Sequence, residues 1–99
     1  MEQKRAYVIG HIRVKDPVSW AEYCSKVPGT VAPWGASLVF RADGAQVLSG
    51  EHAYTDTVVI SFPDLASVKA WHESADYQAI VPLRQKAADV VIISYEAQA

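Results

Sequence analysis

His11 stands in the middle of the segment AYVIGHIRV, with Arg13 two residues on and therefore on the same side of an extended chain. A neutral imidazole there can act as a general base near pH 7. Ser61, in the later segment TVVISF, can meet it across a neighbouring strand. The other reading of His11 is a ring held by a hydrogen bond at a subunit interface. Arg41 and Arg84 are the candidate anion binders, because a guanidinium grips a carboxylate with two parallel N–H donors. Surface ion pairs, for example to Glu51 or Asp76, are the plainer use of both. Among the aromatic residues, Tyr23 and Trp71 are the two expected to line a ligand pocket; Trp20, Trp34 and Tyr77 read as core.

Other chemistries find little here. His52 and His72 complete the histidines, and no two of the three have the spacing of a metal pair on a helix or strand. No metal is therefore expected and no cofactor is assigned, although a haem needs only one axial histidine and that reading stays open. Cys24 is the only cysteine, lies on an apolar helix face, and reads as an inert buried thiol in a reducing, cytoplasmic setting. No nucleophile elbow, phosphate loop or dinucleotide fingerprint is present.

The elements that must position these residues follow from pattern. Ala6 to Val14 reads as a strand. Asp16-Pro17 opens a helix, with the carboxylate as cap and proline at the first position, where its missing N–H is not needed. Trp20, Tyr23, Cys24, Val27 and Val31 then share one helical face, and Pro28-Gly29 is expected to break the helix near Val27. Ala36 to Arg41 is a second strand. Asp43-Gly44 signals a tight hairpin returning through a short strand at Gln46 to Ser49. Thr57 to Phe62 is the third main strand. Pro63-Asp64 opens a helix, Ser74 looks like a fresh N-cap, and Pro82 argues against one unbroken helix there. Asp89 to Tyr95 is the last strand.

The order β-α-β-β-α-β predicts an α+β, ferredoxin-like sandwich over residues 1–99: an antiparallel sheet with both helices on one face. Even-numbered strand residues, from Val8 and Ile12 to Leu38, Phe40, Ile60 and Ile92, are nearly all apolar and belong under the helices. The odd set mixes Ile9, Val39, Val59, Val91 and Ile93 with His11, Arg13 and Arg41. A mixed face with no chain left to cover it suits a second copy, hence a homodimer.

Composition narrows the function. With 51% hydrophobic and 20% charged residues the chain is no disordered tail. A net charge of -2 and the absence of a basic cluster disfavour nucleic acid. The third strand carries no stacking aromatics, unlike RNA-recognition domains of the same order. No apolar run approaches the length of a membrane helix.

Four segments in order, YVIGHIRVKDPVSWAEY, VPGTVAPWGASLVFRADG, VVISFPD and SADYQAIVPLR, resemble the family called domain of unknown function 1330, of the dimeric α/β-barrel superfamily. The resemblance spans Tyr7 to Tyr95 and takes in Arg84 through its PLR segment. It implies a ferredoxin-like fold and two sheets facing each other across a dimer. Its wider relatives include cofactor-independent monooxygenases, muconolactone isomerase-like, haem-degrading and chlorite dismutase-like proteins. The catalytic set of the haem-degrading relatives does not match this sequence. The expectation is a small-molecule protein: either an enzyme of monooxygenase or isomerase type acting on a small organic acid or aromatic molecule, or a non-catalytic ligand-binding or stress-accessory dimer.

Overall fold

The structure is a computed structural model that describes residues 4–98. Its strands are β1 (Ala6–Val14), β2 (Ser37–Ala42), β3 (Asp56–Phe62) and β4 (Ala88–Glu96), and its helices α1 (Pro17–Val31), α2 (Leu65–Glu73) and α3 (Ala75–Ala87). They make one antiparallel sheet in the order β2-β3-β1-β4, with β1 central and paired to both β3 and β4. This is the α+β ferredoxin-like arrangement.

Local chemistry explains most boundaries. Asp16 caps α1, accepting from the amides of Val18 and Ser19 at 3.1 and 3.3 Å and from the Ser19 hydroxyl at 2.9 Å. Asp64 does the same for α2, accepting from the Ser67 amide at 2.7 Å. Ser74 separates α2 from α3: it is extended, and its hydroxyl accepts from the Tyr77 amide at 3.2 Å. Pairing along β1 alternates as its sequence does, with Ala6, Val8, Gly10 and Ile12 buried beneath the helices. The core joins Val8, Ile60 and Phe62 of the sheet to Tyr23, Val31, Val68, Trp71, Tyr77 and Ile80 of the helices.

Four local expectations are corrected. First, α1 does not break near Val27 but runs through Pro28 to Val31. Proline there deletes one helical hydrogen bond. The last turn is held by tertiary contacts instead: Thr30 and Val31 are buried, and the Trp71 indole donates to Thr30 Oγ1 at 3.1 Å. Second, α3 likewise continues through Pro82, with Tyr77, Ile80 and Ala87 buried on either side.

Third, the tight hairpin is absent. A two-residue turn of that kind needs positive φ at both central residues, and of the pair only Gly44, at φ 68°, has it. Residues 46–49 form no strand, and the chain from Asp43 to Thr55 is a long loop. It rejoins the sheet where Thr55 donates to Ile12 O at 3.1 Å.

Fourth, β2 contains a bulge. Leu38 pairs with Ile60, but Phe40 pairs with Val59 and Arg41 with Val58. An extra residue in one strand reverses which face the following residues occupy. Directly opposed residues share a face, so Arg41 joins Val58 on the helix side and Phe40 joins Val59 on the open side. Both placements are opposite to the simple alternation. The outer face consequently carries an unbroken apolar row across all four strands: Phe40, Val59, Ile9 and Ile93.

Candidate functional site

The matching row on the helix side runs Arg41, Val58, Gly10, Ile92. Gly10 leaves a gap in it, and a cavity of about 500 Å³ opens above, between α1 and the sheet. This volume lies within the range of sites for small organic molecules, about 300–1,000 Å³. The gap persists because α1 packs chiefly on α3, while α2 is the helix that lies on β1, β3 and β4. Val8, Ile12, Val58 and Ile60 line the sheet side; Trp20, Tyr23, Cys24, Val27 and Val31 line the α1 side. Trp71 also lines it, as do Arg41, Asp43, Asp56 and Thr57, where β2 leaves the sheet and β3 enters.

The structure thus brings three expected ligand residues, Tyr23, Arg41 and Trp71, to one cavity. Arg41 stands exposed at its rim, and among the described residues it has no ion-pair partner. Its neighbour is Cys24. Burial pushes the Cys24 thiol up, and the adjacent guanidinium offsets part of that rise. Trp71 is nearly fully buried, its indole N–H held by Thr30 and its ring centroid 4.3 Å from that of Tyr77.

Arg84 stands one step behind. Its Nη1 donates to Tyr77 Oη at 2.7 Å, and Tyr77 Oη lies 2.9 Å from Tyr23 Oη. Neither Glu51 nor Asp76 pairs with Arg84 among the described residues. Burial, then the neighbouring Tyr77 hydroxyl, holds the Tyr23 phenol far above the usual phenol range, so it remains a protonated donor.

His11 and Ser61 lie on the other side of the sheet and share neither this cavity nor each other's company. His11 is opposite Thr57 and Val91, whereas Ser61 is opposite Tyr7, four positions along β1. The His11 ring meets two residues of the long loop: its centroid is 5.0 Å from that of His52 and 6.3 Å from that of Tyr54. Arg13 is engaged by Asp89 at 2.8 Å. Ser61 is buried under Arg5, whose Nε and Nη2 donate to its hydroxyl at 2.9 and 2.6 Å. His72 lies near the end of α2, its ring beside Trp71 and Tyr77. Among the described residues no three His, Cys, Asp or Glu side chains come together as metal ligands would.

Sequence reasoning placed Tyr77 only in the core and missed it as a hydrogen-bonding centre. The spacing of α3 marks it as inward-facing, but no local pattern reports that α1 brings Tyr23 against it.

The family model described as Domain of unknown function (DUF1330) matches residues 5–97. The chain belongs to this family. No curated protein matches the sequence. Solved structures share its fold at low identity. A protein of unknown function from Rhodopseudomonas palustris is 14% identical with a TM-score of 0.81, covering 99% of this chain and 85% of its own. A dimeric ferredoxin-like protein of unknown function from Jannaschia is 12% identical with a TM-score of 0.70, covering 94% and 99%. SnoaB, a cofactor-independent oxygenase from Streptomyces nogalater, is 9% identical with a TM-score of 0.68, covering 97% and 95%. At these identities the likeness concerns the fold. No helix of the DUF1330 chain, among the described residues, is long and apolar enough to cross a membrane.

Proposed function

We propose that this DUF1330 protein is a homodimer whose helix–sheet cavity binds a small organic acid with a flat, apolar body. The observation that carries the reading is Arg41: a guanidinium with no ion-pair partner among the described residues, turned by a bulge to the rim of a mostly apolar cavity of about 500 Å³, whose polar groups, Asp43, Asp56 and Thr57 among them, also lie where β2 leaves the sheet and β3 enters. A buried apolar wall holds the ligand body, and the guanidinium holds its carboxylate. Trp20 and Trp71, both lining the cavity, supply flat aromatic surface. The dimer is supported by the outer row of Phe40, Val59, Ile9 and Ile93, and by solved relatives in fold that are described as dimeric.

Binding is tested by titrating 2-naphthoate and following tryptophan fluorescence. A charge-assisted hydrogen bond contributes about 1.5–3 kcal/mol, so Arg41→Met is expected to weaken 2-naphthoate by roughly 10- to 100-fold. The neutral 2-naphthamide should lose little. Equal weakening of both, or no binding of the acid to the unaltered protein, removes the reading.

Turnover is a second reading, favoured by the fold shared with the oxygenase SnoaB. It places the same acid in the same cavity and takes molecular oxygen as co-reactant. His11, across the sheet, then serves the subunit interface and not the ligand. Oxygen uptake with a panel of aromatic acids separates the two readings: consumption with product marks an enzyme, and stabilisation of the fold without product marks a binding protein.

A further inference from the structure

The hydrogen bonds behind the cavity have a direction. A guanidinium only donates, so Tyr77 Oη must accept from Arg84 Nη1 across 2.7 Å. Tyr77 is fully buried, and among the described residues its own hydroxyl proton has one acceptor in hydrogen-bond contact, Tyr23 Oη at 2.9 Å. A buried hydroxyl proton left without an acceptor is rare in folded proteins. Tyr77 therefore donates to Tyr23, and the proton of Tyr23 is left over. Tyr23 is only 7% exposed, makes no other side-chain hydrogen bond among the described residues, and lines the cavity.

We propose that Tyr23 presents its hydroxyl proton to the cavity ligand, and that Tyr77 and Arg84 are the positioning residues that turn it there. The ligand then carries a second acceptor oxygen beyond the acid group on Arg41, which makes it a keto or hydroxy acid on an apolar body. This rests on the cavity being the binding site. Successive donors polarise one another, so negative charge gathering on that oxygen is stabilised through two hydroxyls by the Arg84 cation.

Two measurements test it. In protein labelled with ¹³C at tyrosine Cζ, the isotope shift in mixed H₂O and D₂O reports hydroxyl exchange residue by residue. Tyr77 is expected to exchange slowly and Tyr23 fast, and Arg84→Met should speed Tyr77. The reverse order overturns the direction of the line, whatever the ligand. The second measurement compares chromone-2-carboxylate, which has a ring carbonyl, with 2-naphthoate, which lacks it. The unaltered protein should prefer the carbonyl compound by about 10-fold, the size of one hydrogen bond. Tyr23→Phe should abolish that preference while still binding 2-naphthoate. Arg84→Lys, which keeps a donor, should retain the preference and Arg84→Met should lose it. No preference in the unaltered protein, a preference surviving in Tyr23→Phe, or equal behaviour of the two Arg84 variants overturns the proposal. Failure of 2-naphthoate to bind at all removes the cavity reading instead, and the exchange order still decides the direction of the hydroxyls.

Discussion

Gly10→Ala sets two opposing effects against each other at the floor of the cavity. Glycine inside a strand weakens it by about 0.5–1 kcal/mol relative to alanine, so propensity alone favours the substitution. The structure says otherwise. A Cβ at position 10 would stand 2.9 Å from Val58 Cγ1. Carbon atoms in good contact lie about 3.5–4.0 Å apart, so Val58 must retreat by roughly 0.6–1 Å. Val58 is β-branched and stiff at χ1, and overpacking of this kind costs about 1–3 kcal/mol. The expected balance is a loss of about 1 kcal/mol, or a Tm lower by about 4–8 °C in a chain of this size. Urea unfolding followed by tryptophan fluorescence measures it. The same methyl rises into the cavity beside Arg41's row, so 2-naphthoate binding should weaken as well. A variant more stable than the parent would refute the packing argument. A destabilised variant with undiminished binding would refute the location of the site.

Ile9→Glu puts a carboxylate in the centre of the outer apolar row; by size-exclusion with light scattering the parent is expected to run as a dimer and the variant as a monomer, and a dimeric variant would mean that this face is not the interface. Ser74→Ala removes the cap of α3 and should lower stability by about 1 kcal/mol in urea unfolding, without altering the far-UV spectrum of the native state. Asp16, Asp64 and Asp89 are all held below the ordinary aspartate value of 3.8, by the Ser19 hydroxyl, the Ser67 amide and the Arg13 guanidinium in turn. Because their pKa is lower folded than unfolded, the stability they contribute is full above the unfolded value and is lost as pH falls through the folded ones. Tm should hold level down to about pH 4–5 and then drop, less steeply in Asp89→Asn; an equal slope in that variant would remove Asp89 from the account.

The sequence alone determined the elements with strong local causes. β1 was legible to the residue, because alternation and β-branched content persist over its whole length. The starts of α1, α2 and α3 were legible because Asp16, Asp64 and Ser74 each satisfy amides within their own first turn. The βαββαβ order, and with it the ferredoxin-like sheet, followed from those elements and the rule for crossovers. The resemblance to the DUF1330 family was carried by segments contiguous in the chain.

What only the tertiary structure decided depends on partners far away in sequence. Pro28 and Pro82 each cost a helical hydrogen bond, yet both helices continue, since buried neighbours on distant elements hold the turns that follow. Alternation placed Arg41 on the open face and Phe40 beneath the helices. The bulge opposite Val59 exchanged them, and a bulge is a property of how two strands pair, not of either strand's composition. It put the cation at the rim of the cavity and completed the apolar row outside. The Tyr23 and Tyr77 hydroxyls meet across 54 positions of chain, where no periodicity can relate them. Types and spacing marked the residues proposed to bind an organic acid. The register of β2 on β3 and the packing of α1 on α3 decided which of them stand around one cavity.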